Sequence, residues 1–178
     1  MNPGPIETWR LPPRAVLLAA VLLLAAAEVG GASMARFKLE LARWARAEML
    51  ARPAVHGLVG VRDVDERVLD EALFRFDAGL RLFHMHGEGM ALVIIATTTA
   101  AATLAERVAT RRALLVLLTV GGVGYPLGYL LWSALIPAVG VERGKTIAEW
   151  VMWIPFGGAS IVALLWLTGL IAARMLRR

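Results

Sequence analysis

The sequence predicts an all-α integral membrane protein with four transmembrane helices and a helical hairpin outside the membrane between the first two. The chain has 178 residues, of which 58% are apolar and 19% charged, and its mean hydropathy is +0.65. Soluble domains are about 45–50% apolar and about 25% charged, so this composition argues against a soluble enzyme and against disorder. Four stretches supply the roughly 20 apolar residues that a helix needs to cross a bilayer. Backbone amides in lipid must bond internally, so these stretches are expected to be helices.

The four spans are expected at residues 15–35, 79–105, 113–137 and 149–173, and together they make residues 1–178 a single membrane domain. The first span contains one charge, Glu28. It also resembles a secretory signal peptide, because arginines precede it and small residues end it; we interpret it as a span. In the third span, Pro126 and Pro137 predict a kink or an early end near Pro137.

The polar segment 36–77 carries eight basic and eight acidic residues. Its first part, 36–52, is predicted to be a helix that either lies along the membrane surface or extends the first span, and Pro53 ends it. After a turn region, a second helix is predicted to start near Asp63, where acidic residues suit a helix N-terminus. An apolar stripe at helical spacing and the absence of a breaker predict that this helix continues into the second span.

Basic residues indicate the orientation. They precede the first span, fill the loop between the second and third spans and end the chain. The positive-inside rule therefore predicts that both termini lie on the cytoplasmic side of the inner membrane. The formal charge of +5 therefore reflects basic flanks of spans, and no nucleic-acid-binding motif is present. Because the chain has no cysteine, a disulfide framework, a thiolate metal site and a cysteine nucleophile are excluded.

One stretch, residues 81–90, concentrates the groups that could carry chemistry at the start of the second span. Histidines and charges in a membrane segment are candidates for function. Because successive helical residues turn by about 100°, His84 and His86 are expected on opposite sides, the first sharing a face with Arg81 and Glu88 and the second with Met90. The interpretations left open are two separate sites, one ligand histidine, or local unwinding at the two glycines that brings the imidazoles together.

The segment Phe83-His84-Met85-His86, followed by Met90, resembles the histidine-bearing helix of haem-copper-oxidase-type membrane proteins, and most closely the NnrS-like haem and copper proteins. The resemblance covers about ten of the 178 residues. It implies a haem b or copper centre near the outer leaflet, with His84 or His86 as ligand and one-electron transfer as the activity. The third and fourth spans lack histidine, so it implies at most one haem b. Candidates for the second ligand are Met90, Met152, His56 or a group from a second subunit.

The remaining candidates surround these histidines. Arg81 is expected to face a haem propionate, and Glu88 and Glu28, at similar depth, to carry protons or to orient a ligand. Aromatic residues at the outer ends of the third and fourth spans predict a polar and aromatic cluster there. The alternative is that no cofactor binds and the imidazoles are ordinary polar residues at the membrane boundary. The protein would then be a non-catalytic accessory subunit of a larger membrane complex, or a homo-oligomer, docking through segment 36–77.

Overall fold

Long helices form nearly all of the part of the chain that the structure, a computed structural model, describes, residues 9–176, and no strand occurs in that range. Four helices are long and apolar enough to cross a membrane, as predicted. The elements are α1 (Arg14–Leu50), α2 (Pro53–His56), α3 (Arg62–Leu104), α4 (Val108–Val139), α5 (Val141–Ala148), a π-helical segment (Glu149–Gly157) and α6 (Gly158–Met175).

Helix α1 decides between the two predictions for residues 36–52. The first part of the polar segment extends the first span as one helix of 37 residues, turned at Phe37, where the backbone has φ −116° and ψ 21°. Below this kink Ala20, Leu23 and Ala27 are buried, and above it Ala45 and Met49 are buried. Both parts of α1 therefore pack against the body of the protein, and α1 contacts mainly α3.

Helix α3 confirms that the second helix of the polar segment runs without a break into the second span. It has 43 residues, which corresponds to about 65 Å at 1.5 Å per residue. The upper parts of α1 and α3 are joined by α2 and by turns in which Gly57 and Gly60 have φ of 67° and 82°. Across this hairpin the Arg46 guanidinium lies 2.5 Å from a carboxylate oxygen of Glu66.

The hairpin does not stand alone. The end of α4 and helix α5 pack against it, so that Met49, Leu69, Phe76, Ile136 and Ala148 share one buried cluster. The polar segment is therefore one end of the helical bundle. It is not a separate protrusion, because the last turns of α4 and helix α5 pack against it.

Helix α4 passes through both prolines and ends at Val139, two residues beyond the predicted end of the span, and Gly140 caps it. A hydrogen bond from the Ser133 hydroxyl to the Phe76 carbonyl, 2.7 Å long and buried, joins α4 to α3.

The returning chain contains two elements that the sequence did not predict, helix α5 and the π-helical segment. Pro155 lies inside this segment, and a proline lacks the amide hydrogen that a regular α-helix bonds to the carbonyl four residues earlier. Trp153 of this segment packs against Gly128 of α4, and Phe156 packs against Gly124 of α4. Glycine at those positions of α4 therefore sets how closely the fourth span approaches the third.

Candidate functional site

The two histidines of residues 81–90 lie on opposite sides of α3, because this stretch stays α-helical through both glycines. His84 contacts α1, and His86 contacts α4. Of the three interpretations left open by the sequence, local unwinding that joins the imidazoles is therefore not observed. The structure contains two separate environments.

His84 is held between α3 and α1. Its Nδ1 lies 2.9 Å from the carbonyl oxygen of Ala27, and since a carbonyl can only accept, Nδ1 carries the proton and Nε2 the lone pair. The ring fills the space beside Gly31, where a Cβ would lie 2.6 Å from Cε1 of the imidazole. A carboxylate oxygen of Glu88 lies 3.4 Å from Nδ1, and the two side chains are about one-third exposed, at 30% and 35%.

His86 belongs to an aromatic cluster formed by α3, α4 and the π-helical segment. Its Nδ1 donates to the Leu82 carbonyl one turn earlier, at 2.9 Å. The ring lies 4.7 Å from the Tyr129 ring and 5.7 Å from the Tyr125 ring, measured between centroids. The two tyrosine hydroxyls are 3.0 Å apart, and the Tyr129 ring lies 4.9 Å from that of Trp153. The aromatic cluster predicted from the ends of the third and fourth spans is therefore present, with His86 at its edge.

The other predicted residues are distributed around α3. The Arg81 guanidinium pairs with Asp77 of the same helix and is largely exposed. Met90 packs towards α4, beside Gly122 and Ile94. Glu28 lies on an exposed face of α1.

The candidates for a second haem ligand do not lie beside His84. His56 is tied through Nε2 to the Pro137 carbonyl at the far end of α4, 3.1 Å away. Met90 faces α4, and Met152 lies beside Gly128 of that helix. No group of three or more histidine, cysteine, aspartate or glutamate side chains that could hold a metal ion occurs among residues 9–176.

The donor set therefore fits a haem only in part. Nδ1 of His84 is tied to a backbone carbonyl in the way that orients metal-binding imidazoles, which leaves Nε2 as a possible axial ligand. The candidates from the same chain for the opposite axial position lie on other faces of the bundle. On the side of His86, the space beside the imidazole is filled by the two tyrosines.

Sequence reasoning missed two features of this region. Gly31 admits the His84 ring between the helices, and Ala27 supplies the carbonyl that fixes its tautomer. A small residue every few positions along the first span was the available signal, since close helix packing in membranes uses such residues. This spacing does not indicate which side chain of another helix packs against each small residue.

Comparison of the chain with models of protein families, with curated proteins and with solved structures finds no match to any of them.

Proposed function

We propose that this protein is a non-catalytic subunit of a larger membrane assembly and binds a transmembrane helix of that assembly in an apolar groove between α1 and α4. The protein acts by positioning that partner, and no bond is made or broken. In this proposal the protein lies in the inner membrane with both termini in the cytoplasm, because Arg14, Arg107 and Arg174 lie at one end of the bundle and basic residues stay on the cytoplasmic side.

The groove is the observation that carries the proposal. It encloses about 440 Å³ and is lined almost entirely by apolar atoms, at the level where the first span passes into the polar segment. Trp44 at its upper edge is 49% exposed. On the water-exposed part of a protein a concave apolar patch beside an exposed aromatic residue marks an interaction site, and Trp44 belongs to the polar segment 36–77. The groove is lined by Ala26, Val29, Gly30, Ser33, Met34, Leu41, Trp44, Phe76, Leu80, Phe83, Leu130 and Ala134.

A transmembrane helix is the occupant that we infer, because the lining contains no charged side chain and its lower part belongs to the apolar stretch 15–35. An extended polar peptide would leave backbone amides unpaired against such a lining. An apolar helix satisfies its own backbone and offers side chains that pack into the groove.

Photo-crosslinking in native membranes tests the proposal. A photoreactive side chain replaces Leu41, which lines the groove, and the matched control replaces Leu39, two residues away on the same helix and 65% exposed. We expect a protein adduct of one defined mass from position 41 and none from position 39. Adducts to lipid alone from position 41, or the same adducts from both positions, would refute the groove as a binding site.

A second candidate function is favoured by the tautomer of His84. We propose as the alternative that Nε2 of His84 is one axial ligand of a haem b, with the other ligand from another chain; such a haem would supply one-electron transfer. Arg81, three residues earlier, would lie towards its propionates. A reduced-minus-oxidised visible spectrum of the protein in mild detergent decides between the two candidates. Haem bands that disappear in His84→Ala and persist in His86→Ala support the alternative, and a colourless, metal-free preparation excludes it.

A further inference from the structure

We infer that two copies of this chain pair in the membrane, with Glu28 of each copy hydrogen-bonded to His84 of the other. The pairing surface, called here the lateral face, is the side of α1 and α3 that carries Glu28, Gly31 and Ala32 on α1 and His84 and Glu88 on α3. This inference is independent of the proposed groove, which lies between α1 and α4.

Glu28 is a carboxyl group in an otherwise apolar surface. It is the one charged residue of the stretch 15–35 and lies seven residues from its upper end, which is about 10 Å along a helix. Its side chain is exposed, and it makes no hydrogen bond or ion pair within the described residues. Ionisable groups at such depth nearly always face another polar group, because an unpaired carboxyl in hydrocarbon is costly. We therefore expect another molecule to supply a polar group that hydrogen-bonds to Glu28.

His84 lies at the same depth and on the same face. Its Nδ1 donates to the carbonyl of Ala27, the residue next to Glu28, at 2.9 Å. Its ring packs on Gly31, which lies one helical turn after Glu28 and so on the same side of α1. Since Nδ1 is the donor, Nε2 is an acceptor, and the side chain is 30% exposed.

Twofold symmetry makes these two groups complementary. In a dimer with twofold symmetry every contact occurs twice: α1 of the first copy contacts α3 of the second, and α1 of the second copy contacts α3 of the first. An axis along the membrane normal preserves depth, so groups at equal depth on α1 and α3 meet twice. Glu28 and Nε2 of the other copy's His84 share one proton in a hydrogen bond, so the pair carries no net charge. Small side chains beside Glu28 on α1, at Ala25, Ala32 and Ala35, permit the close approach of helices.

We infer that a second copy of this chain, and not another molecule, covers the lateral face. A lipid headgroup is disfavoured by the depth of Glu28. A different membrane protein would need its own hydrogen-bonding group at this depth, whereas this chain already carries one, Nε2 of His84, on the adjoining helix. Glu88 lies 3.4 Å from the same imidazole and is available to hold the ring in place as the dimer forms.

Energy transfer between labelled copies in vesicles tests the inference. The full chain has no cysteine, so a single Thr146→Cys change on the exposed surface of α5 accepts a donor or an acceptor dye. In vesicles of phosphatidylethanolamine and phosphatidylglycerol, we expect transfer that rises with protein-to-lipid ratio to a dimer plateau. Glu28→Ala and His84→Phe should each weaken association by roughly ten-fold to several-hundred-fold, as expected for two intramembrane hydrogen bonds. Phenylalanine keeps a ring against Gly31 and removes both nitrogens.

Mixing the variants separates a bond between copies from one within a copy. Donor-labelled Glu28→Ala and acceptor-labelled His84→Phe together retain one Glu28–His84 pair, and each variant alone retains none. We expect the mixture to associate more strongly than either variant alone, and His86→Ala, on the other side of α3, to behave as the unmodified sequence. A bond within one copy cannot produce this gain.

Three results would overturn the inference: a monomer at all protein-to-lipid ratios, no gain on mixing, or a haem spectrum that depends on His84, since the haem would occupy the same nitrogen. Equal helicity of all variants by circular dichroism establishes that they fold. Crosslinking from position 41 is measured on the same preparations, so that failure of the dimer and failure of the groove are distinguished.

Discussion

Replacement of Gly87 by alanine is expected to push α1 and α3 apart. A Cβ at Gly87 would lie 2.7 Å from the Cβ of Ala27, whereas apolar carbons pack at about 3.5–4.0 Å. Neither methyl group can rotate away, because each is fixed to its backbone. The helices must therefore separate by about 1 Å at this point.

The separation of α1 and α3 is expected to lower the free energy of unfolding. The bond from Nδ1 of His84 to the Ala27 carbonyl, 2.9 Å long, would lengthen beyond the roughly 3.2 Å limit of a good hydrogen bond. Overpacking typically costs about 1–3 kcal/mol, and an intramembrane hydrogen bond contributes about 0.6 kcal/mol on average. The higher helix propensity of alanine offsets about 0.5–1 kcal/mol of this loss in the free energy of unfolding. We expect Gly87→Ala to lower the free energy of unfolding by about 0.6–3 kcal/mol.

The matched control is Gly89→Ala, on the same helix, where a Cβ would meet nothing within 4 Å. Here only the helix propensity acts, so the free energy of unfolding should rise by about 0.5–1 kcal/mol. Unfolding of both variants in mixed micelles with increasing dodecyl sulfate, followed by circular dichroism, measures the difference. If Gly87→Ala proves as stable as Gly89→Ala, α1 and α3 are not packed as closely as described and the reasoning fails.

Three further changes test other parts of the bundle by the same unfolding measurement. Ser133→Ala removes the buried hydrogen bond to the Phe76 carbonyl and should cost about 0.5–1.5 kcal/mol; no loss would mean that α3 and α4 do not meet there. Gly140→Ala places a side chain at φ 85° and ψ 165°, a region open almost only to glycine, and should cost about 1–3 kcal/mol, whereas Gly158→Ala, with open space and ordinary geometry, should not. Arg46→Ala removes a partly exposed ion pair between α1 and α3 and should cost only about 0.2–1 kcal/mol, less at high salt; a larger, salt-independent loss would contradict this.

Much of the helical layout could be predicted because it depends on local chemistry. Apolar stretches of sufficient length form helices in lipid whatever surrounds them, since their backbone amides have no other partner. The continuity of α3 follows from an apolar stripe that repeats from Leu69 to Phe83 without a breaker. The opposite orientation of His84 and His86 follows from the turn of a helix alone.

The π-helical segment and the burial of the polar hairpin could not be predicted from the sequence. Pro155 could equally have kinked an α-helix, and the π-helical turns depend on where Trp153 and Phe156 find room against glycines of α4. The hairpin is covered because α4 continues past Pro137, and charge composition does not indicate which helix packs beside it.

Four helices long and apolar enough to cross a membrane, their order and the closeness of Glu28 to the level of the histidines all follow from residue counts, because a helix has a fixed rise per residue. The bond of His84 to Ala27, the contact of His86 with two tyrosines and the position of Glu28 on an outer face depend on how the helices pack. The physical reason is that a helix fixes the angles between its own side chains, whereas the neighbour that each side chain meets is set by packing between helices distant in the chain.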